Sequence, residues 1–411
     1  MEALSPHQKE ELESLLLRLS STDLPEINQT LIAPEISEIS QGEFSDLLCK
    51  SFQTRGSLPV ICDVRSEKEF EQDGIPGSFS LPILNNRERH EVGLLYKRHS
   101  HKLALQYAFY LAREKEDAFL KKAAEYAKMA GDEPLILFCF RGGGRSHYVA
   151  GLLERNGFSV KRLQGGQKAF RKEVQKFLYQ GDFELWPLSG KTGCGKSEAL
   201  ETLSEKYPEI PVLHLEAAAG HAASVFGHIR FAFMGVSAPR SQKMFENYLY
   251  LSLLRYRKPD GSFPPFFTEM ESRKIGSVQV PPALYKALGK GPHIRLEASM
   301  DLRVKRLQRE YFLEMGNDIH GVGEALDYLK RRIGGDIVRR WQALVRAGNT
   351  AEFLREILEN YYDKNYMPEK EEPLCTFQSD SMEALAGLLT KFWRLHSHGF
   401  GEKKILPLQG E

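Results

Sequence analysis

Apolar residues near the start of the chain recur at three- and four-residue intervals: Leu12, Leu15, Leu16 and Leu19. That period predicts an amphipathic helix over residues 7–19. Residues 21–41 are rich in serine, proline and polar side chains and predict a connecting arm. From Phe44 to Val174 the pattern alternates between short apolar runs and helical periods. Pro59–Val64 is a buried strand, Glu67–Phe70 a helix start, and Gly74–Ser78 a turn. A long helix is expected over roughly Lys102–Met129, then a strand at Leu135–Phe140 and a glycine loop. A helix from Ser146 to Asn156, a strand at Val160–Leu163 and a helix from Gln167 to Leu178 complete the series.

A second series opens at Phe183. Phe183–Leu188, Pro211–Leu215, Pro265–Thr268 and Ile294–Leu296 predict strands. Ser197–Glu205 and Asp301–Tyr311 predict helices, as do Gly323–Ile333, Ile337–Arg346 and Ala351–Tyr361. Strand–helix alternation implies parallel α/β sheets. Four segments follow: an N-terminal helix and arm (1–43), a first α/β domain (44–180), a second with a helical extension (181–365), and a tail (366–411).

A length of 411 residues suits two or three domains, and 42% hydrophobic residues is enough to build their cores. No apolar run approaches the ~18–20 residues that cross a bilayer. The N-terminus is acidic and has no continuous apolar stretch, so neither a membrane span nor a secretion signal is expected. The formal charge is +1, but residues 1–50 hold three basic against ten acidic side chains, a net of −7. The rest therefore carries +8, which permits a polyanionic partner. Five cysteines, an odd number with no C-x-x-C pair, argue against disulfides or a zinc site. A reducing, cytoplasmic setting is expected.

Of those thiols, Cys139 stands out. It ends an apolar strand and is followed by Arg141, Gly142, Gly143, Gly144, Arg145 and Ser146. Glycines let backbone N–H groups turn inward, the next helix adds its positive end, and two arginines add charge. These features favour an anion, first of all the Cys139 thiolate, and so a nucleophile. C-x5-R-S spacing also fits the phosphate loop of a cysteine phosphatase. A second loop, Gly190–Ser197, reads G-x-x-x-x-G-K-S between a strand and a helix. In that context Gly190, Gly193 and Gly195 shape a phosphate cradle, Lys196 neutralises it, and Ser197 could hold Mg²⁺. Glu269, ahead of Glu271, is the candidate metal-side acid after a later strand.

Around the first loop, Ile61–Pro82 (ICDVRSEKEFEQDGIPGSFSLP) and Leu163–Phe170 (LQGGQKAF) resemble the opening and closing motifs of rhodanese domains. In such a domain Asp63 and Arg65 brace the reactive loop. Joined to a P-loop, and with Arg87–Ser100, Leu215–Gly227, Ser241–Leu249 and Glu269–Pro281, the chain resembles the tRNA 2-selenouridine synthase family over about residues 44–320. The resemblance implies a rhodanese-like parallel-sheet domain followed by a P-loop NTPase-like α/β domain with C-terminal helices. It implies exchange of sulfur for selenium in wobble 2-thiouridine of tRNA, with selenophosphate as donor and a selenophosphate-supplying enzyme as partner. It also implies an S-geranyl intermediate made from geranyl diphosphate, whose diphosphate the P-loop would hold, with Cys139 acting in the exchange through a selenylated sulfur. Glu88 and Arg89 would line the site.

A tRNA substrate requires positive surface. Lys161, Arg162, Lys168, Arg171 and Lys172 follow the reactive loop, Arg303 and Arg306 lie on a later helix, and Lys330–Arg332 form a third group. His90, His147, His221 and His228 show no metal-ligand spacing. Two other functions compete: a cysteine phosphatase or sulfurtransferase fused to a nucleotide-binding module, and an inactive rhodanese domain regulating a P-loop kinase.

Overall fold

The computed structural model describes residues 5–26, 36–54, 58–222, 224, 226–227, 240–313, 319–365 and 372–397. The chain divides into two compact units, Met1–Val174 and Gln175–Glu411.

In the first unit, α1 (Pro6–Ser20) precedes β1 (Glu38–Ile39), α2 (Gln41–Gln53), β2 (Ile61–Asp63), α3 (Glu67–Asp73) and β3 (Phe79–Ser80). Three helices follow: α4 (Asn86–Arg98), α5 (His101–Arg113) and α6 (Glu116–Ala130). Then come β4 (Leu135–Phe138), α7 (Gly144–Arg155), β5 (Val160–Leu163) and α8 (Gly166–Gln180). The sheet order is β1-β5-β4-β2-β3, and every pairing is parallel. All four residues of β4 are buried, which suits a central strand covered on both faces. Helices α1, α2 and α4 open on capping boxes, in which Ser5, Ser40 and Asn85 trade hydrogen bonds with Gln8, Glu43 and Glu88.

The single helix expected over 102–129 is two helices, with Glu114 and Lys115 between them. Glu116 and Asp117 favour a new helix N-terminus there, and Lys115 pairs with Glu88 instead of continuing the turn. Part of the expected arm is ordered into the fold. Ile39 pairs with Leu163 at the sheet edge. Leu12, Leu15 and Leu19 of α1 pack on Leu94, Leu95, Ala104 and Tyr107 of the α4–α5 hairpin. Arg18 meets Glu91 at 2.9 Å, and the Tyr107 hydroxyl donates to the same carboxylate at 2.6 Å.

In the second unit, β6 (Leu185–Ser189) leads into α9 (Lys196–Lys206), β7 (Val212–Leu213) and α10 (Leu215–Ala219). Helix Gln242–Leu254 precedes β8 (Phe266–Glu269), and β9 (Lys274–Ile275) pairs antiparallel with β10 (Val278–Gln279). Helix Pro282–Leu288, β11 (Ile294–Glu297) and helix Met300–Gln308 follow. Trp341, Phe353, Leu326 and Ile357 form the core of the helical extension.

The sheet order is β12-β11-β6-β8-β7, all parallel, where β12 is Cys375–Gln378. The segment expected as a tail therefore contributes the fifth strand, pairing Ile294 with Cys375 through Glu297 with Gln378. Helix Met382–His396 then buries Leu385, Leu389 and Phe392 against Trp186, Leu200 and Leu203. The strand is hard to read locally because only Phe377 of its four residues is buried and its partner lies far away in sequence. Among the described residues, no helix is long and apolar enough to cross a membrane.

Candidate functional sites

In the first unit, β4 delivers Cys139 to a loop that ends at the start of α7. The thiol is buried, with Sγ 3.2 Å from Ser146 Oγ and 3.9 Å from the Gly143 carbonyl. Two glycine runs interlock here. Gly142 has φ +66°, and a Cβ on it would lie 3.0 Å from Gly165 N. A Cβ on Gly166 would lie 2.1 Å from the Cys139 carbonyl oxygen, so only glycine permits this approach. The first-turn N–H groups of α8 complete the lock: Gln167 N and Lys168 N donate to the Cys139 and Phe140 carbonyls, each at 2.9 Å.

The flanking arginines differ. Arg141 is exposed, its guanidinium 5.7 Å from the Phe140 ring centroid. Arg145 is tied to Glu69 at 2.7 Å, and Arg89 approaches the same carboxylate at 3.5 Å. Burial alone would raise Glu69, but Arg145 and then Arg89 outweigh it and hold the carboxyl at about 2. Asp63 and Arg65 are both buried. Arg65 reaches Asp63 at 2.7 Å and Asp73 at 2.7 Å, and lies 5.7 Å from the Phe138 ring centroid. Gln167 donates to the Asp73 carbonyl, which joins this network to α8. Burial pushes the Cys62 thiol up to about 12 and the Cys375 thiol up to about 11.

Cys139 opens onto a cavity of about 760 Å³ whose walls are mainly Ile83, Leu84, Val92, Leu105, Ala108 and Phe109. Arg89, Arg141 and Arg145 also line it. Glu88 does not line it but pairs with Lys115.

In the second unit the P-loop joins β6 to α9. Gly190, Gly193 and Gly195 all have positive φ, and a Cβ on Gly190 would lie 2.4 Å from the Leu296 carbonyl oxygen. Lys196 Nζ donates to the Gly190 carbonyl at 2.8 Å, and Ser197 Oγ donates to Glu216 Oε2 at 2.8 Å. Burial alone would lower the Lys196 ammonium; Cys194, Glu216, Glu271 and Glu269 outweigh it and raise it. The loop borders a polar cavity of about 890 Å³. Glu216, Glu271, Arg309, Arg332 and Tyr311 also line it. Two π-helical turns, Arg309–Leu313 and Leu358–Tyr362, supply part of the far wall, a local geometry that recurs at functional sites.

Glu269 is not where a metal-side acid is needed. It is 1% exposed, does not line the cavity, and accepts from Leu215 N at 2.9 Å. Burial, then the Glu216 charge, push its carboxyl up to about 8, so it is mostly neutral at neutral pH. The carboxylate that meets Ser197 is Glu216, at the start of α10. Its one sequence signal is an acid just after the second strand of the unit. The Ser197 hydroxyl and Glu216 carboxylate are oxygen donors of the kind that would suit a Mg²⁺. Among the described residues no three His, Cys, Asp or Glu side chains converge to hold a metal alone.

Several expected tRNA contacts have structural partners instead. Arg303 is buried, donates to the Thr192 carbonyl at 2.7 Å and clamps Asp363 at 2.6 and 2.9 Å. Arg306 is buried and donates to the Cys194 carbonyl at 3.2 Å and Ser379 Oγ at 3.1 Å. Both hold the P-loop backbone, because a guanidinium can satisfy several carbonyls at once. Arg162 pairs with Glu38 and donates to the Gly142 carbonyl at 3.3 Å, supporting the Cys139 loop. Arg171 is buried, Lys161 is half-buried, and Lys168 and Lys172 are exposed. Lys330, Arg331 and Arg332 are exposed. His90 meets Glu11 at 3.0 Å, His147 is half-buried, His221 lies against Gly276, and His228 lies outside the described residues.

A cysteine on a glycine loop in one parallel-sheet unit and a P-loop in the next define a two-unit protein of rhodanese-like and P-loop type. The pattern of the rhodanese-like domain matches residues 48–173, and that of the tRNA 2-selenouridine synthase AAA domain matches residues 183–391. The chain is 31% identical to the tRNA 2-selenouridine synthase of Hydrogenovibrio crunogenus, over 82% of this chain and 96% of that one. It is 30% identical to the proteins of that name from Pseudomonas syringae pv. syringae and Bordetella bronchiseptica, each over 80% of this chain and 94% of the relative. The chain belongs to the tRNA 2-selenouridine synthase family.

Proposed function

We propose that this chain is a tRNA-modifying enzyme that replaces the 2-thio sulfur of wobble uridine by selenium in the cytoplasm. Selenophosphate is the donor, delivered by the enzyme that makes it, and S-geranyl-2-thiouridine is the intermediate. The reading is carried by one observation: Cys139, held on an interlocked glycine loop, and a P-loop with a polar cavity occur in one chain of this family.

In the first step the thiouridine sulfur attacks C1 of geranyl diphosphate, the C1–O bond breaks, and diphosphate leaves. Backbone N–H groups of Gly190–Ser197 receive the leaving group, and Lys196 moves from the Gly190 carbonyl to neutralise it. Ser197 and Glu216 would hold a Mg²⁺ there, which would supply positive charge to the leaving diphosphate. In the second step Cys139 Sγ, in place of the selenylated sulfur that the resemblance implies, attacks C2 of the alkylated base. The C2–S bond to the geranyl sulfur breaks, and that thiolate takes a proton. Hydrogen selenide, released with phosphate by hydrolysis of selenophosphate, then attacks C2 and expels the Cys139 thiolate. The Ser146 hydroxyl, 3.2 Å from Sγ, orients the thiolate, and exposed Arg141 meets the incoming anion.

The test is nucleoside mass spectrometry of tRNA from selenium-fed cells with and without the gene. 2-Selenouridine is expected with the gene only; an unchanged profile overturns the reading.

A further inference from the structure

The arginines near the P-loop fall into two kinds. Arg303 and Arg306 are buried and spend donors on loop carbonyls. Arg309 and Arg332 are exposed, yet both line the polar cavity of about 890 Å³. Arg309 opens the π-helical turn Arg309–Leu313 and donates to Glu198 Oε1 at 2.6 Å. Arg332 donates to the Tyr361 hydroxyl at 3.2 Å, and Tyr361 stands on the other π-helical turn, Leu358–Tyr362. Glu198 lies in the first turn of α9, just after Lys196 and Ser197, and lines the same cavity.

Neither pairing is strong. The Arg309 and Glu198 side chains are 49% and 30% exposed, and exposed ion pairs are weak. The Arg332 bond is to a neutral hydroxyl. A guanidinium fork fits phosphate as well as carboxylate, so both arginines can exchange these partners for a phosphate. The cavity needs such cations. Glu198, Glu201, Glu216 and Glu310 line it, and a diphosphate entering among them meets more negative charge than Lys196 alone neutralises. We propose that Arg309, joined by Arg332, leaves its resting partner to contact the phosphate held by the P-loop, and that Glu198 holds Arg309 until that phosphate arrives. As the C1–O bond of an allylic diphosphate breaks, its electron pair passes to the departing oxygen. A cation that meets this growing charge lowers the barrier. The assignment rests on the proposed function and adds the residues that complete the leaving-group site.

The test is calorimetric titration of the full-length protein and its variants with inorganic pyrophosphate, with folding checked by thermal melting. Arg309→Ala should weaken binding by about tenfold and Arg332→Ala by less. Arg309→Lys should recover only part of the loss, because an ammonium lacks the bidentate fork. Glu198→Gln should act in the opposite direction and tighten binding by about threefold, since it frees Arg309 from a weak pair. That gain should vanish in the Arg309→Ala background. Unchanged affinity in Arg309→Ala overturns the proposal, and so does weaker binding in Glu198→Gln or a gain that persists without Arg309. Single-turnover transfer from geranyl diphosphate to 2-thiouridine RNA separates this assignment from the functional reading. Arg309→Ala should slow the transfer by about 100-fold. Transfer at the parent rate in that variant overturns the assignment and keeps the reading. No transfer by the parent protein, with pyrophosphate binding shifted as expected, removes the reading and keeps Arg309 and Arg332 as phosphate ligands.

Discussion

The two glycine loops are built alike and solvated oppositely. Each follows a buried parallel strand and leads into a helix. The Cys139 loop is locked by a second glycine run and faces an apolar cavity. The P-loop is held by Arg303 and Arg306 from a neighbouring helix and faces a cavity lined by Lys196, Glu216, Glu271 and further arginines. Strand–loop–helix architecture thus supplies backbone donors in both units, and the surrounding side chains decide which chemistry each loop admits. Where the neighbours are leucine and phenylalanine, a thiol and an apolar group are at home. Where they are charged, a phosphate ester is.

The largest effects should separate the loops. Cys139→Ser should abolish 2-selenouridine in cells and leave pyrophosphate binding to the purified protein unchanged. Lys196→Ala should weaken pyrophosphate binding by about 100-fold, as expected for removing one partner of a buried charge-assisted contact. It should leave Cys139 reactive toward iodoacetamide. Full selenouridine from Cys139→Ser, or intact pyrophosphate binding by Lys196→Ala, breaks the division of labour.

A smaller effect sharpens the P-loop side. Glu216→Gln should weaken Mg²⁺-dependent pyrophosphate binding by roughly tenfold, since it removes the charge that meets Ser197. Glu269→Gln should change it by less than about twofold, because a neutral amide can still accept from Leu215 N. Equal losses in calorimetric titrations would return Glu269 to the metal side.

The smallest effect concerns stability around the Cys139 loop. The Glu69 carboxyl is held at about 2 in the folded chain, against an ordinary value of 4.5. Its stabilising contribution is therefore complete above the ordinary value and is lost as pH falls toward the folded value. After discounting for partial solvent screening, Glu69→Gln should destabilise by about 2 kcal/mol at neutral pH. The gap to the parent should narrow between about pH 5 and about pH 3 in urea titrations. A gap that widens with acid would show that Arg145 is held by something other than Glu69.

Much of both sites is legible locally. CFRGGGRS and GKTGCGKS announce themselves because a glycine run between a strand and a helix has few other uses. The chain-end strand β12 is not legible, since three of its four residues are solvent-facing or half-buried and its partner is remote. Nor are the arginine roles. A cluster of positive charge reads the same in sequence whether it faces RNA or, like Arg303 and Arg306, is buried against loop carbonyls.

What the sequence by itself determined is therefore the local pattern: two parallel-sheet units, the candidate nucleophile Cys139, the candidate phosphate loop Gly190–Ser197, and the family the motifs resemble. Those follow from short-range rules, because backbone sterics and strand–helix alternation act over a few residues. What only the tertiary structure decided is which neighbours come from afar. It put Glu216 rather than Glu269 beside Ser197, turned Arg162, Arg303 and Arg306 into loop supports, and built an apolar cavity at Cys139 from an inserted hairpin. A side chain's partners depend on burial and on contacts between residues distant in sequence, and those exist only once the chain has folded.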